Sequence, residues 1–198
     1  MGRSPRLPSG TGCFHVVARG NNQQNIFLAE EDFRAYRELL GEYGEKHLIT
    51  LHHYCLMSNH VHLILNASQP QRMSRFMHDV QRSYFLFRGK KGQLSGHLWQ
   101  GRFRSFPIEE ESYLLECGRY VERNPVQAGI VRDPGDYPWS SYPVYAFGRE
   151  DRLVTISPLY SEFGKSLAER QVCYRTYVCV TRPSELPGTK TPKSTRYR

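Results

Sequence analysis

A chain of 198 residues with 27 Lys and Arg against 19 Asp and Glu, net charge +8, is long enough for one domain with a real core. Its basic balance favours a polyanionic partner. No apolar run approaches the roughly 18 residues of a membrane-spanning helix, and the five cysteines form no C-x-x-C pair; with no signal peptide, this excludes a zinc-finger or disulfide-built domain and leads us to expect reduced thiols in a cytoplasmic protein.

Residues 1–10, rich in Pro, Gly, Ser and Arg, read as a flexible leader. A first strand is expected at residues 12–19, where Phe14, Val16 and Ala18 alternate with Cys13, His15, Val17 and Arg19. Gly20-Asn21-Asn22 breaks it. A helix follows from residue 29, with Glu30, Glu31 and Asp32 near its positive end and Phe33, Tyr36, Leu40 and Tyr43 as its buried stripe. Gly44 is expected to end it.

Strands at residues 48–57 and 60–66, joined by a Ser58-Asn59 turn, make a hairpin. A second helix over residues 71–87 has Met73, Phe76, Met77, Val80 and Tyr84 on its apolar stripe, with Arg72, Arg75 and Arg82 off it. Gly89-Lys90-Lys91-Gly92 reads as a basic loop. Residues 96–106 read as the fourth strand, with Trp99 and Phe103 on one side and Gln100, Arg102 and Arg104 on the other, and a bulge at Gly101. Arginines between aromatics suit single-stranded nucleic acid, because bases stack on rings while guanidinium groups hold phosphates; an ordinary amphipathic strand reads the same way.

A third helix over residues 109–124 sets Tyr113, Cys117, Tyr120 and Asn124 along one stripe, and Pro125 is expected to stop it. Turn-rich aromatic segments at 124–129 and 137–142 follow, then a basic disordered tail at 181–198. This order describes an α+β, ferredoxin-like split βαβ arrangement with a four-stranded antiparallel sheet and an added C-terminal helix, in a single domain over residues 11–180.

Alternation along the third strand throws His60 and His62 to one face and Val61, Leu63 and Leu65 to the other. Backbones two residues apart are about 7 Å from each other, so the two imidazoles can share one divalent ion. Histidines on a half-exposed strand would look the same, and the pair alone does not choose. The third helix is free to cross that face and bring Tyr120 to it.

Four ordered segments carry a family resemblance: Tyr54-Cys55-Leu56-Met57-Ser58-Asn59-His60-Val61-His62, Gly96-His97-Leu98-Trp99-Gln100-Gly101-Arg102-Phe103, Arg119-Tyr120-Val121-Glu122-Arg123-Asn124-Pro125-Val126-Gln127-Ala128-Gly129 and Tyr137-Pro138-Trp139-Ser140-Ser141. Together they resemble the HUH single-tyrosine transposases, IS200-like, and within them the bacterial REP-associated tyrosine transposases. The resemblance spans residues 12–145. It implies a metal-dependent endonuclease and strand transferase acting on single-stranded DNA beside a hairpin or palindrome.

By the same resemblance, His60 and His62 bind Mg²⁺ or Mn²⁺ and Tyr120 is the nucleophile that forms a 5′-phosphotyrosine. Asn124 falls where relatives often have a Gln ligand, and it is one methylene shorter, a departure that bears on whether it ligates directly. Ser58 stands where relatives often have Pro. The DNA-contacting candidates are Gln100, Arg102, Arg104, Arg19, Arg75 and Arg82. A cytoplasmic, nucleoid-associated location goes with this reading, and a monomer and a homodimer both fit it. A DNA-binding protein of the same fold that no longer cuts is the alternative, and a small-substrate metallohydrolase is disfavoured by the basic charge.

If the positive charge serves nucleic acid, affinity for a hairpin-bearing single strand should exceed that for blunt duplex and fall steeply with salt, because neutralised phosphates release counterions. Binding isotherms across a salt series test this. A flat salt response or equal duplex affinity would sink it.

Overall fold

The computed structural model describes residues 9–92 and 96–180. The expected tail and nearly all of the expected leader lie outside the described residues. Four strands, β1 (Cys13–Arg19), β2 (Thr50–Met57), β3 (His60–Asn66) and β4 (Arg104–Ile108), form one antiparallel sheet in the order β2-β3-β1-β4. Helices α1 (Glu30–His47) and α2 (Pro70–Lys90) alternate with the strands as the split βαβ pattern requires, and α3 (Glu111–Gln127), α4 (Tyr142–Phe147) and α5 (Leu167–Cys179) follow. No helix among the described residues is long and apolar enough to cross a membrane.

Strand alternation sorts the core into two layers. Val61, Leu63 and Leu65 join Phe14, Val16 and Leu56 in a cluster with Tyr36 and Leu40 of α1 and Met73, Phe76, Met77, Val80 and Tyr84 of α2. On the other face, Cys13, Cys55, Met57 and Ile64 meet Leu114, Cys117 and Val121 of α3. A third cluster, built on Tyr142, Tyr145, Tyr160 and Tyr174, packs α4 and α5 together. The outer edge of β2 is covered by residues 139–141: the Leu56 amide donates to the Trp139 carbonyl, and Ser141 and Tyr54 exchange backbone and hydroxyl bonds.

The local chemistry departs from expectation at several boundaries. Helix α1 continues through Gly44 to His47, because Lys46 and His47 of its last turn are tied to Asp79 of α2 at 3.0 and 2.9 Å; Leu48, with φ 54°, makes the left-handed exit. Helix α2 takes in Gly89 and Lys90 of the expected loop, since the buried Arg88 reaches the Ile26 carbonyl and Lys91 just beyond bonds Glu31 and Asp32 of α1.

The fourth strand is shorter and later than residues 96–106. Residues 96–103 are mostly irregular: Trp99 bridges Gly20, donates its indole N–H to the Gln81 carbonyl and so draws the segment toward α2, and Gly101 turns with φ 141°. The expected turn-rich segment at 137–142 leads into α4, and α5 is a helix that the sequence reading did not include.

Helix α3 crosses Pro125 without stopping. Proline lacks the N–H that the Val121 carbonyl would normally accept. The Asn124 side chain supplies the replacement, its Nδ2 donating to the Tyr120 carbonyl at 2.9 Å and the Val121 carbonyl at 3.3 Å.

What holds α3 on the sheet is a fully buried carboxylate, Glu122. Its Oε1 accepts from His53 Nδ1 of β2 at 2.9 Å and from the Ser141 hydroxyl at 2.7 Å; its Oε2 accepts from the Tyr174 hydroxyl of α5 at 2.7 Å. A bulge between Leu51 and His53 turns His53 to this face, and Gly118 lets the helix come close, since a Cβ there would lie 3.0 Å from the His53 ring. Glu122→Ala should therefore cost about 3–5 kcal/mol, because three buried donors lose their acceptor together. Glu122→Gln, which keeps an acceptor, should cost less. Urea unfolding of both variants measures the difference; equal and small losses would contradict this account.

Candidate active site

Antiparallel pairing of β1 with β3 sets Val17 opposite His62 and Arg19 opposite His60, so the odd-numbered face of β1 and the histidine face of β3 coincide. His15, one step along that face, brings its Nε2 to within 2.9 Å of His62 Nδ1, with ring centroids 5.2 Å apart and planes inclined by 22°, an edge-to-edge contact. Helix α3 crosses above and presents Tyr120 edge-on to both imidazoles, with centroids 5.7 Å from His62 and 5.9 Å from His15. A cleft of about 630 Å³ opens here, lined by Tyr120, His15 and His62 together with Arg19, Gln100, Arg102 and Arg104. Tyr120 is 45% exposed, whereas the two imidazoles beneath it are only 5% exposed.

The imidazoles are held neutral. Burial pulls His15 down to about 4; burial, then the nearby Arg19 charge, pulls His60 down to about 4; burial, then His15, His60 and Arg19, pushes His62 well below its ordinary value. Neutral imidazole nitrogens carry the lone pairs that a divalent cation needs and no charge with which to hold an anion.

The amides around His60 sharpen the fit. Asn59 donates its Nδ2 to the Gln23 carbonyl, so its Oδ1 accepts from His60 Nδ1 at 2.6 Å. Asn124 has both amide hydrogens committed to helix carbonyls, which leaves Oδ1 for its own contact with His60. A neutral His60 has one N–H for two amide oxygens, and a cation would satisfy the second. Among the described residues no three His, Cys, Asp or Glu side chains converge to hold a metal unaided. The side chains that could hold a cation here are His60, His62 and, through its amide oxygen, Asn124.

Gln100, Arg102, Arg104 and Arg19 line the cleft with His15, His62 and Tyr120. Arg75 and Arg82 do not: both are exposed on α2, whose apolar stripe packs on the opposite face of the sheet. Helical phase had placed them only off that stripe, which says nothing of which side of the sheet they reach. Tyr113 is as exposed as Tyr120 but lies two turns away and is not part of the cleft lining. His15 was not among the candidates. Its signal was the mixed face of the first strand, readable only once β1 is paired beside β3.

A family model described as "Transposase IS200 like" matches residues 11–124. A solved REP-associated tyrosine transposase bound to a REP hairpin is similar with a TM-score of 0.62 and 16% identity, covering 79% of this chain and 93% of that one. A putative transposase from Deinococcus radiodurans R1 gives a TM-score of 0.42 and 17% identity, over 62% of this chain and 95% of that one. No match is found among curated proteins.

Because His15, His60, His62 and the buried His52 all have lowered values in the folded state, the unfolded chain binds more protons as pH falls below 6.5. Stability present above about pH 6.5 should drain away between there and about pH 4, before carboxylate protonation contributes. Urea midpoints across that window test it, and a flat profile would mean that the imidazoles are charged in the fold.

Proposed function

This chain belongs to the IS200-like transposase family, and from that premise we propose that it cleaves and rejoins single-stranded DNA beside a hairpin, with Tyr120 as nucleophile and Mg²⁺ or Mn²⁺ held by His60 and His62. The observation that carries the reading is the half-exposed Tyr120 ring standing edge-on to His62 in a cleft bordered by Arg19, Arg102 and Arg104. The similar solved transposase is bound to a REP hairpin, which supports a hairpin as the partner here.

The cation, when bound, would polarise the scissile phosphate and offset charge developing on its oxygens. The remaining steps fall to the chain itself. Arg19, Arg102 and Arg104 grip phosphates on either side of the reacting one. Tyr120 Oη attacks phosphorus in line; the bond to the 3′-oxygen breaks, a 5′-phosphotyrosine forms, and the phenolic proton passes to a base or solvent. A phenol ordinarily ionises at about pH 10, so this proton must leave as the bond forms. The phosphotyrosine keeps the bond energy, and a 3′-hydroxyl can reverse the step and join a new strand. Asn124 is the third ligand in this scheme, and a nucleoid-associated, cytoplasmic location suits the substrate.

Incubation of the full chain with a hairpin-bearing single strand and Mn²⁺ should trap a covalent adduct that peptide mapping assigns to Tyr120. Tyr120→Phe should bind the same DNA and lose cleavage by about 10³-fold or more, since the change deletes only the attacking oxygen. His60→Ala with His62→Ala should keep DNA binding and lose Mn²⁺ binding. An adduct on Tyr113, or cleavage by Tyr120→Phe, would overturn the assignment. Tight hairpin binding by the wild type without cleavage would instead identify a binding protein built on this fold.

A further inference from the structure

The geometry points to His15 as a positioning residue for His62: it accepts the His62 Nδ1–H and thereby keeps the His62 Nε2 lone pair available to a cation. This rests on the reading of His62 as a metal ligand. The contact itself is independent of that reading, since His15 Nε2 and His62 Nδ1 stand 2.9 Å apart between two buried side chains.

A neutral imidazole carries one N–H, so one proton is shared between those two nitrogens and only two arrangements exist. If His15 donates, His62 must carry its own proton on Nε2 and has no lone pair left to offer. If His62 donates, Nε2 is bare. A histidine that ligates a metal generally donates its other ring N–H to a carboxylate, a backbone carbonyl or water, which fixes both tautomer and orientation. His15 is the hydrogen-bond partner of His62 Nδ1, so that role falls to it.

The sheet makes His15 suited to the task. Its backbone is locked between Ile64 of β3 and Phe106 of β4, and its ring meets His62 edge-to-edge and is tilted against Phe106 at 6.0 Å. An imidazole also differs from a carboxylate in a way that matters beside an incoming phosphate. It offers an acceptor with no negative charge, so it can orient His62 without repelling the substrate.

Full-length protein labelled with ¹⁵N in histidine, free of metal, gives the tautomer directly from long-range ring correlations, with His62→Gln used to assign its signals. The expected wild-type pattern is His62 protonated on Nδ1. His15→Phe keeps the volume but removes the acceptor, and should shift His62 toward the Nε2–H form and weaken Mn²⁺ binding, measured by calorimetry with Mn²⁺ alone, by about 10–100-fold. His15→Gln places an amide oxygen near the lost Nε2 and should recover most of that affinity. Circular dichroism of wild-type quality from both variants, together with recovery of Mn²⁺ affinity in His15→Gln, separates positioning from misfolding. A wild-type His62 protonated on Nε2, or unchanged Mn²⁺ affinity in His15→Phe, would overturn the proposal. A wild type with the Nδ1–H pattern that binds no Mn²⁺ would support the His15 contact while overturning the metal reading, so the two fail separately.

Discussion

The whole site hangs on one buried carboxylate. Glu122 takes donors from β2, from the segment at 141 and from α5, and a carboxylate so enclosed is tolerable only because each of those bonds is made. Along a helix, two residues correspond to about 200° of rotation, so Tyr120 and Asn124, two before and two after Glu122, both lie on the side of α3 away from it. Fixing Glu122 against His53 therefore fixes the rotation of α3. That rotation is what turns the phenol and the amide toward the histidine face of β3. Arg119 and Arg123 pin a further side of the same helix, donating to the last carbonyls of α5, where the helix dipole is negative.

The features that sequence made legible are those with a local period. Alternation separated Val61, Leu63 and Leu65 from His60 and His62, and the 3.6-residue stripe of α2 matched its buried apolar residues, with Arg88 buried one turn further along it. Helical phase could not choose between Tyr113 and Tyr120, and the family motif did that. What escaped depends on contacts distant in the chain. Helix α1 outran Gly44 because Asp79 of α2 holds its end, the expected fourth strand was displaced by the Trp99 bond to Gln81, and His15 became a site residue only through pairing with a strand nearly fifty positions away. The family model ends at residue 124, and α4 and α5 lie beyond it, in a cluster where four tyrosines pack with Val144, Ala146 and Val178.

Charge is another place where composition and structure diverge. The chain carries a net +8, yet three arginines, Arg88, Arg119 and Arg123, are buried and donate to backbone carbonyls. Their charge serves the fold. Arg75 and Arg82 sit across the sheet from the cleft, so among the described residues the cations that line it beside Tyr120 are Arg19, Arg102 and Arg104. Those three guanidinium groups share the cleft with imidazoles that burial holds neutral, so its described charge is positive and favours an anion.

Position 124 shows how a backbone vacancy can set the polarity of a side chain. Pro125 leaves the Val121 carbonyl short of a donor, the amide nitrogen of Asn124 is drawn to it, and the amide oxygen is thereby turned toward His60. An aspartate has the same shape and none of the hydrogens. It would set carboxylate oxygen against two carbonyl oxygens, and isostery at this point would not be equivalence. Nor could the position be read from its own side chain alone: which end of the amide faces the histidine is decided by the residue that follows, so the pair at 124 and 125 behaves as one unit of sequence.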